Sequence, residues 1–193
     1  MCLKARFDKM IVSHKRKFIF VQNPKCASSS MNAVLKHFHD HSVKYKIHDA
    51  LNHLDFDCGS YFSAIFVRNP WDRTISYYEN MCRSTGHRYH QQLKEQGFER
   101  YVMDPGKALL APCYKRARGV KWVGKVENIK KDWQTLCSMI DAGILKLPTL
   151  NISKKTKHFH HYYTSQKLLD KVADHYAEDI RLYDYEVPVY DVV

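Results

Sequence analysis

One arrangement occurs twice in this chain and narrows its fold more than any other feature. Phe18-Ile19-Phe20-Val21 is a short aromatic and β-branched run that ends at Asn23-Pro24, and Met31, Val34, Leu35 and Phe38 follow at helical spacing. The run predicts a buried strand, and the spacing after it predicts a helix for which Ser28, Ser29 and Ser30 offer capping hydroxyls. Ala64-Ile65-Phe66-Val67 repeats the strand, Asn69-Pro70 supplies a cap and a proline at the first helical position, and Ile75, Tyr78 and Cys82 continue the helix. Residues 121–126 read as a third strand and 127–140 as a helix with Ile129, Trp133, Leu136, Cys137 and Ile140 on one face. Leu168, Leu169, Val172, Tyr176, Ile180 and Tyr183 close the chain, again at helical spacing. Strands alternating with helices predict an α/β fold with a parallel central sheet flanked by helices, whose ligands sit beyond the carboxyl ends of the strands. Residues 86–119, with a possible helix over 91–101 and a loop broken by Pro105, Gly106 and Pro112, read as a variable insertion in a single domain spanning 1–193.

Composition narrows the partners. The 193 residues carry 31 Lys+Arg against 20 Asp+Glu, a net charge of +11, so an anionic ligand is expected. Residues 13–17 form a basic lead-in, and Lys115, Arg116, Arg118, Lys121 and Lys125 form a second basic cluster. The six cysteines lie far apart without a C-x-x-C pair, which argues against a zinc site and for reduced thiols. The sequence shows neither an apolar run of the roughly 20 residues that cross a bilayer nor a signal peptide. A soluble, cytoplasmic protein is the expectation.

The first strand-to-helix connection reads Pro24-Lys25-Cys26-Ala27-Ser28-Ser29-Ser30. Free amides and the helix dipole converge at such a place, three hydroxyls add donors, and Lys25 adds a mobile charge, so a bound anion fits. An ordinary turn with serine caps is the plainer reading. A triphosphatase loop of the form G-x-x-x-x-G-K-[ST] is disfavoured, because the segment has no glycine. The second connection reads Arg68-Asn69-Pro70-Trp71-Asp72-Arg73-Thr74-Ile75-Ser76. Arg68 stands at the end of the strand, and Arg73 and Ser76, three apart, share a helix face suited to a second phosphate or to a surface ion pair.

Together these two segments resemble the sulfotransferases that use 3′-phosphoadenosine 5′-phosphosulfate (PAPS), in particular the carbohydrate sulfotransferase branch. Residues 24–30 look like that family's 5′-phosphosulfate loop and residues 68–76 like its 3′-phosphate motif. Residues 63–78, 123–129, 161–164 and 176–180 resemble further blocks of the family. Two departures stand out: Cys26 and Ser29 occupy positions where threonine is frequent, and Tyr183-Asp184-Tyr185 replaces an aromatic-Gly-Tyr turn. The resemblance implies a P-loop-like three-layer fold, with PAPS as donor, 3′-phosphoadenosine 5′-phosphate (PAP) as product and no required metal. Lys25, Cys26, Ala27, Ser28, Ser29, Ser30, Arg68, Arg73 and Ser76 would bind the nucleotide, and Lys154 and Lys155 would lie in a loop that closes over it.

Sulfuryl transfer builds negative charge on the leaving phosphate and takes a proton from the acceptor hydroxyl, so it calls for a cation and a base titrating near neutrality. Lys25 suits the first role. Of twelve histidines, His48 lies where related glycan 2-O-sulfotransferases place a catalytic histidine, with His53 its nearest competitor. Asp49 or Asp55 would orient the ring. His37 and His41, and His158, His160 and His161, read first as solvated residues. The expected acceptor is a carbohydrate, anionic in preference to neutral, with residues 86–119 selecting it. The rival classes are a basic nucleic-acid-binding protein, to which two phosphate motifs at successive strand ends would be superfluous, and a family member that binds nucleotide without transferring sulfate.

Overall fold

The computed structural model describes residues 10–40, 51–54, 56–104, 109–148 and 159–190. His48, Asp49, Asp55, His41, His158, Lys154 and Lys155 lie outside the described residues, as does the side chain of His53. In chain order the elements are β1 (Ile11–Ser13), β2 (Phe18–Val21), α1 (Ser28–Leu35), β3 (Phe62–Val67), α2 (Pro70–Arg83), α3 (His90–Met103), α4 (Tyr114–Ala117), β4 (Trp122–Lys125), α5 (Ile129–Met139), α6 (Phe159–Tyr162), α7 (Gln166–His175) and α8 (Ala177–Tyr183). The chain divides into two compact units, residues 1–68 with 115–151 and residues 69–114 with 152–193.

The first unit is a four-stranded sheet in the order β1-β2-β3-β4 with helices against it. β2, β3 and β4 are parallel, with Phe20 opposite Ala64 and Phe66 opposite Gly124. The expectation of a wholly parallel sheet is corrected at one edge. Ile11–Ser13, for which the sequence predicts no strand and of which only Ser13 falls in the basic lead-in, forms β1 and pairs antiparallel with β2 through the hairpin turn at 14–17. Four residues suffice for an antiparallel return, whereas each parallel step needs a longer crossover.

Side chains alternate across the sheet. Val12, Ile19, Val21 and Ile65 gather with Met10 and Tyr61 in one cluster, while the Phe66 ring meets Trp122 edge-on at 5.5 Å. That second packing requires Gly124. A Cβ there would stand 2.7 Å from both the Phe66 ring and the Trp122 indole, closer than van der Waals contact allows. Ser63, a polar residue inside β3, accepts from the Lys121 amide at 3.0 Å and so does not bury an idle hydroxyl.

The free edge of β1 is closed by residues 39–40. The Val12 amide donates to His39 Nδ1 at 3.0 Å. The Asp40 carboxylate accepts from the Ser13 hydroxyl and from the His14 and Lys15 amides. Desolvation pushes this carboxyl up, but the amides and the hydroxyl outweigh it and hold it below its ordinary 3.8.

The second unit is helical. Asn69 caps α2, its side chain accepting from the Trp71 and Asp72 amides, with Pro70 at the first position as the sequence predicts. Trp71, Met81, Leu93, Phe98, Tyr101, Val102, Tyr163, Leu168, Leu169, Val172 and Tyr176 form its core. Buried polar groups tie it together. The Trp71 indole donates to Leu169 O at 3.0 Å and the Tyr163 hydroxyl to Trp71 O at 3.0 Å. Asp179, 1% exposed, accepts from the Cys113 and Tyr114 amides. Residues 86–119, read as an insertion, thus give this unit α3 and four core side chains. α3 bends at Gly97, whose φ of 75° favours glycine. The closing helix also differs from its expectation, splitting at Tyr176 into α7 and α8.

Two outcomes test this description. Gly124→Ala is expected to destabilise the protein by about 1–3 kcal/mol, the usual range for overpacking, read as a lower urea midpoint with an unchanged slope. Asp40→Asn is expected to lower Tm at pH 7. Because the folded-state value is depressed, the carboxylate's contribution is present above 3.8 and is lost as pH falls through the lower folded value. The Tm gap between wild type and variant should therefore close below about pH 4, whereas a gap constant from pH 7 to pH 3 would contradict the assignment.

Candidate functional site

The connection from β2 to α1 is built around Asn23. Its amide Nδ2 donates to Phe66 O at 3.2 Å, fastening the loop to β3, and its carbonyl accepts from the Cys26 amide at 3.2 Å. The Ser28 hydroxyl accepts from the Asn23 amide and donates to the Asn23 carbonyl. Beneath the loop, Gln22 donates to Asn32 of α1 at 3.1 Å. Asn23 Oδ1 is buried with no hydrogen-bond partner among the described residues. These contacts revise the capping expectation. The N-cap of α1 is Ala27, which makes no side-chain cap, and Ser28 closes the loop on itself.

The loop is left-handed twice without glycine, at Lys25 (φ 66°) and Ala27 (φ 57°). Alternation of left- and right-handed residues turns successive N–H groups toward one side, the geometry of an anion-binding concavity. The loop leads into the positive end of α1, whose first turn carries no acidic residue. Ser29 and Ser30 follow as further donors, Ser30 being 6% exposed. Arg68, half-buried at the carboxyl end of β3, donates from Nη1 to Lys25 O at 3.3 Å. The structure thus brings together Lys25, Cys26, Ala27, Ser28, Ser29, Ser30 and Arg68. Cys26 itself is fully buried, its thiol turned to Pro24 O.

A cavity of about 980 Å³ opens beside this loop. Ala27 and Ser30 form one wall, and Ile129, Trp133 and Cys137 of α5 with residues 143–148 form the other. The indole of Trp133 is held by a hydrogen bond to Leu145 O at 2.6 Å. Burial pushes the Cys137 thiol above its ordinary value. Sequence reasoning placed Trp133 and Cys137 on the buried face of a helix but gave them no part in a site. Helical spacing reports which side is apolar, not where packing stops short of filling space.

Arg73 and Ser76 belong to the second unit and are both buried there. The Arg73 guanidinium donates to Ala111 O at 3.1 Å and lies 5.8 Å from the ring centre of Tyr176. Burial raises the Tyr176 hydroxyl to about 12, against the opposing pull of Arg73. Three other basic residues also have structural work. Arg16 donates to Ile140 O and Asp141 O at the end of α5 and stacks 4.8 Å from Phe38. Lys17 lies 4.8 Å from the centre of the Tyr61 ring, and Lys121 donates to Gly59 O. His37 is exposed on a short turn after α1.

A strand, a left-handed loop and a helix, with a cation at the next strand end, thus meet at the carboxyl edge of the sheet. Residues 8–186 match the pattern of the Sulfotransferase family, and the chain belongs to that family. No curated protein and no solved structure matches the chain. Among the described residues no helix is long and apolar enough to cross a membrane.

Ser28→Ala is expected to cost about 1–2 kcal/mol, since it deletes both bonds to Asn23 and leaves buried backbone groups poorly paired. Ser29→Ala should leave stability within about 0.5 kcal/mol, the usual range for substitutions away from such features. Denaturation of the two variants side by side checks the contrast, and equal losses would refute the loop-closing role of Ser28.

Proposed function

We propose that the protein transfers a sulfuryl group from PAPS to a hydroxyl of a carbohydrate acceptor, in line and with a histidine base. The observation that carries this reading is the glycine-free, doubly left-handed loop over residues 24–30, seated between β2 and α1 in a member of the Sulfotransferase family. It fits a phosphosulfate, because its amides and the helix dipole favour an anion while Lys25 adds the charge that a departing phosphate needs. In this reading the adenosine enters the cavity between Ala27 and α5, and Arg68 receives the 3′-phosphate. The apolar wall of that cavity suits a flat base, and Trp133 is already fixed in place by its bond to Leu145 O.

Each residue then has a defined task. Lys25 and the first-turn amides of α1 stabilise charge as the bond from sulfur to the phosphate oxygen breaks. His48 takes the proton of the acceptor hydroxyl as the new sulfur–oxygen bond forms, which yields PAP and a sulfate ester. Lys154 and Lys155 belong to the proposal as cations that close on the nucleotide. The surplus positive charge favours an acidic glycan over a neutral alcohol, with Lys115, Arg118 and Lys125 as steering charges. Arg73 and Ser76 stay in the proposal as nucleotide-binding residues, and the Arg73 guanidinium also donates to Ala111 O within its own unit.

PAP is expected to raise Tm in a concentration-dependent way and ATP to do so less, because ATP lacks the 3′-phosphate. Transfer of label from PAPS to acidic oligosaccharides should vanish in His48→Ala while PAP affinity stays within about twofold. Lys25→Ala should weaken both. If PAP produces no shift, the donor assignment fails. A His48→Ala enzyme with normal turnover moves the base to His53.

A further inference from the structure

The peptide unit joining Lys25 to Cys26 is held at both ends. Its carbonyl accepts from Arg68 Nη1 at 3.3 Å, and its N–H donates to Asn23 O at 3.2 Å. A peptide plane fixed on both sides cannot rotate without breaking two hydrogen bonds. Rotation is the hazard here, because Lys25 has a side chain and a φ of 66°, and its relaxation to the right-handed region would reorient this plane. In the observed orientation the Lys25 carbonyl is neutralised by a guanidinium. In the reversed one its negative end could turn toward the side on which the loop gathers its amides, where it would repel an anion.

We propose that Arg68 is a positioning residue for the 5′ loop: it locks the Lys25–Cys26 peptide in its anion-binding orientation, beyond any contact with a 3′-phosphate. This rests on the donor assignment above but makes a separate claim. Recognition at one end of the nucleotide and readiness at the other then depend on one side chain, 43 positions from Lys25 in sequence. Lysine cannot replace it fully, because a single ammonium lacks the planar fork that reaches a carbonyl with one nitrogen and leaves others for a ligand.

Adenosine 5′-phosphosulfate separates the two roles, since it has no 3′-phosphate. Its affinity and that of PAP are measured by calorimetry for wild type and Arg68→Ala, alongside amide hydrogen exchange of residues 22–35 in the ligand-free proteins. Arg68→Ala is expected to weaken adenosine 5′-phosphosulfate by about tenfold or more, in keeping with loss of a charged hydrogen bond, and to speed exchange within residues 24–30. Weakened PAP binding with unchanged adenosine 5′-phosphosulfate binding and unchanged exchange overturns the proposal and leaves Arg68 a 3′-phosphate ligand only. If Arg68→Ala does not fold, Arg68→Lys is measured the same way, with the same directions expected and the same result overturning the proposal. If wild type binds neither nucleotide, the donor assignment fails, and the exchange data, which need no ligand, still decide whether Arg68 locks the loop.

Discussion

Two residues with side chains, Lys25 and Ala27, hold the left-handed conformation in one short loop, and the carboxyl edge of the sheet is organised around keeping them there. Each such residue costs about 1–2 kcal/mol where glycine would cost little. The restraints come from three directions. Asn23 fastens the loop to the backbone of β3, Ser28 ties the start of α1 back to Asn23, and Arg68 grips the Lys25 carbonyl. A chain that used glycine here would fold more easily but would leave the amides free to wander. Residues with a Cβ, once restrained, keep the amides aimed before any ligand arrives, and preorganisation of that kind is what electrostatic catalysis needs.

This division between local and long-range causes explains what could be read from sequence. Asn69-Pro70 is a local signal and gave the start of α2, with the Asn69 side chain on the Trp71 and Asp72 amides. Buried strands at Phe18–Val21 and Phe62–Val67 were legible because their apolar runs leave no solvent face. β1 was not legible, since three residues beside a run of cations carry too little pattern, and its edge is completed by His39 and Asp40 from far along the chain. In the same way Ser28 looked like a helix cap because serines before helices usually are. Only the three-dimensional path of the loop shows its hydroxyl facing backward to Asn23. The loop itself was visible in residue types, while its handedness and the bond from Arg68 to the Lys25 carbonyl were not.

The positive charge illustrates a related point. A count of +11 suggested an anionic ligand. The structure sorts the cations instead. Arg16 closes the carbonyl end of α5, Lys17 covers Tyr61, Lys121 bonds a loop carbonyl, and Arg73 is enclosed in the helical unit. Arginine and lysine here do much of the work of stabilising backbone carbonyls and aromatic faces that elsewhere falls to neutral donors. These contacts fix where the cations stand without cancelling their charge, because these partners are neutral.

The two units draw on the chain in different orders, and this bears on how the molecule is made. The sheet unit uses residues up to 151, whereas the helical unit joins residues 69–114 to 152–193. Trp71 finds the partner of its indole only at Leu169, and the Cys113 amide finds its acceptor only at Asp179. Ribosomal synthesis runs from the N-terminus at about 5–20 residues per second. The sheet can thus pair its strands while α2 and α3 are still without α7 and α8. Until residues 152–193 follow, a matter of seconds, the nascent chain carries an apolar face around Trp71 that has no counterpart yet, and their arrival ends its exposure to chaperones and to aggregation.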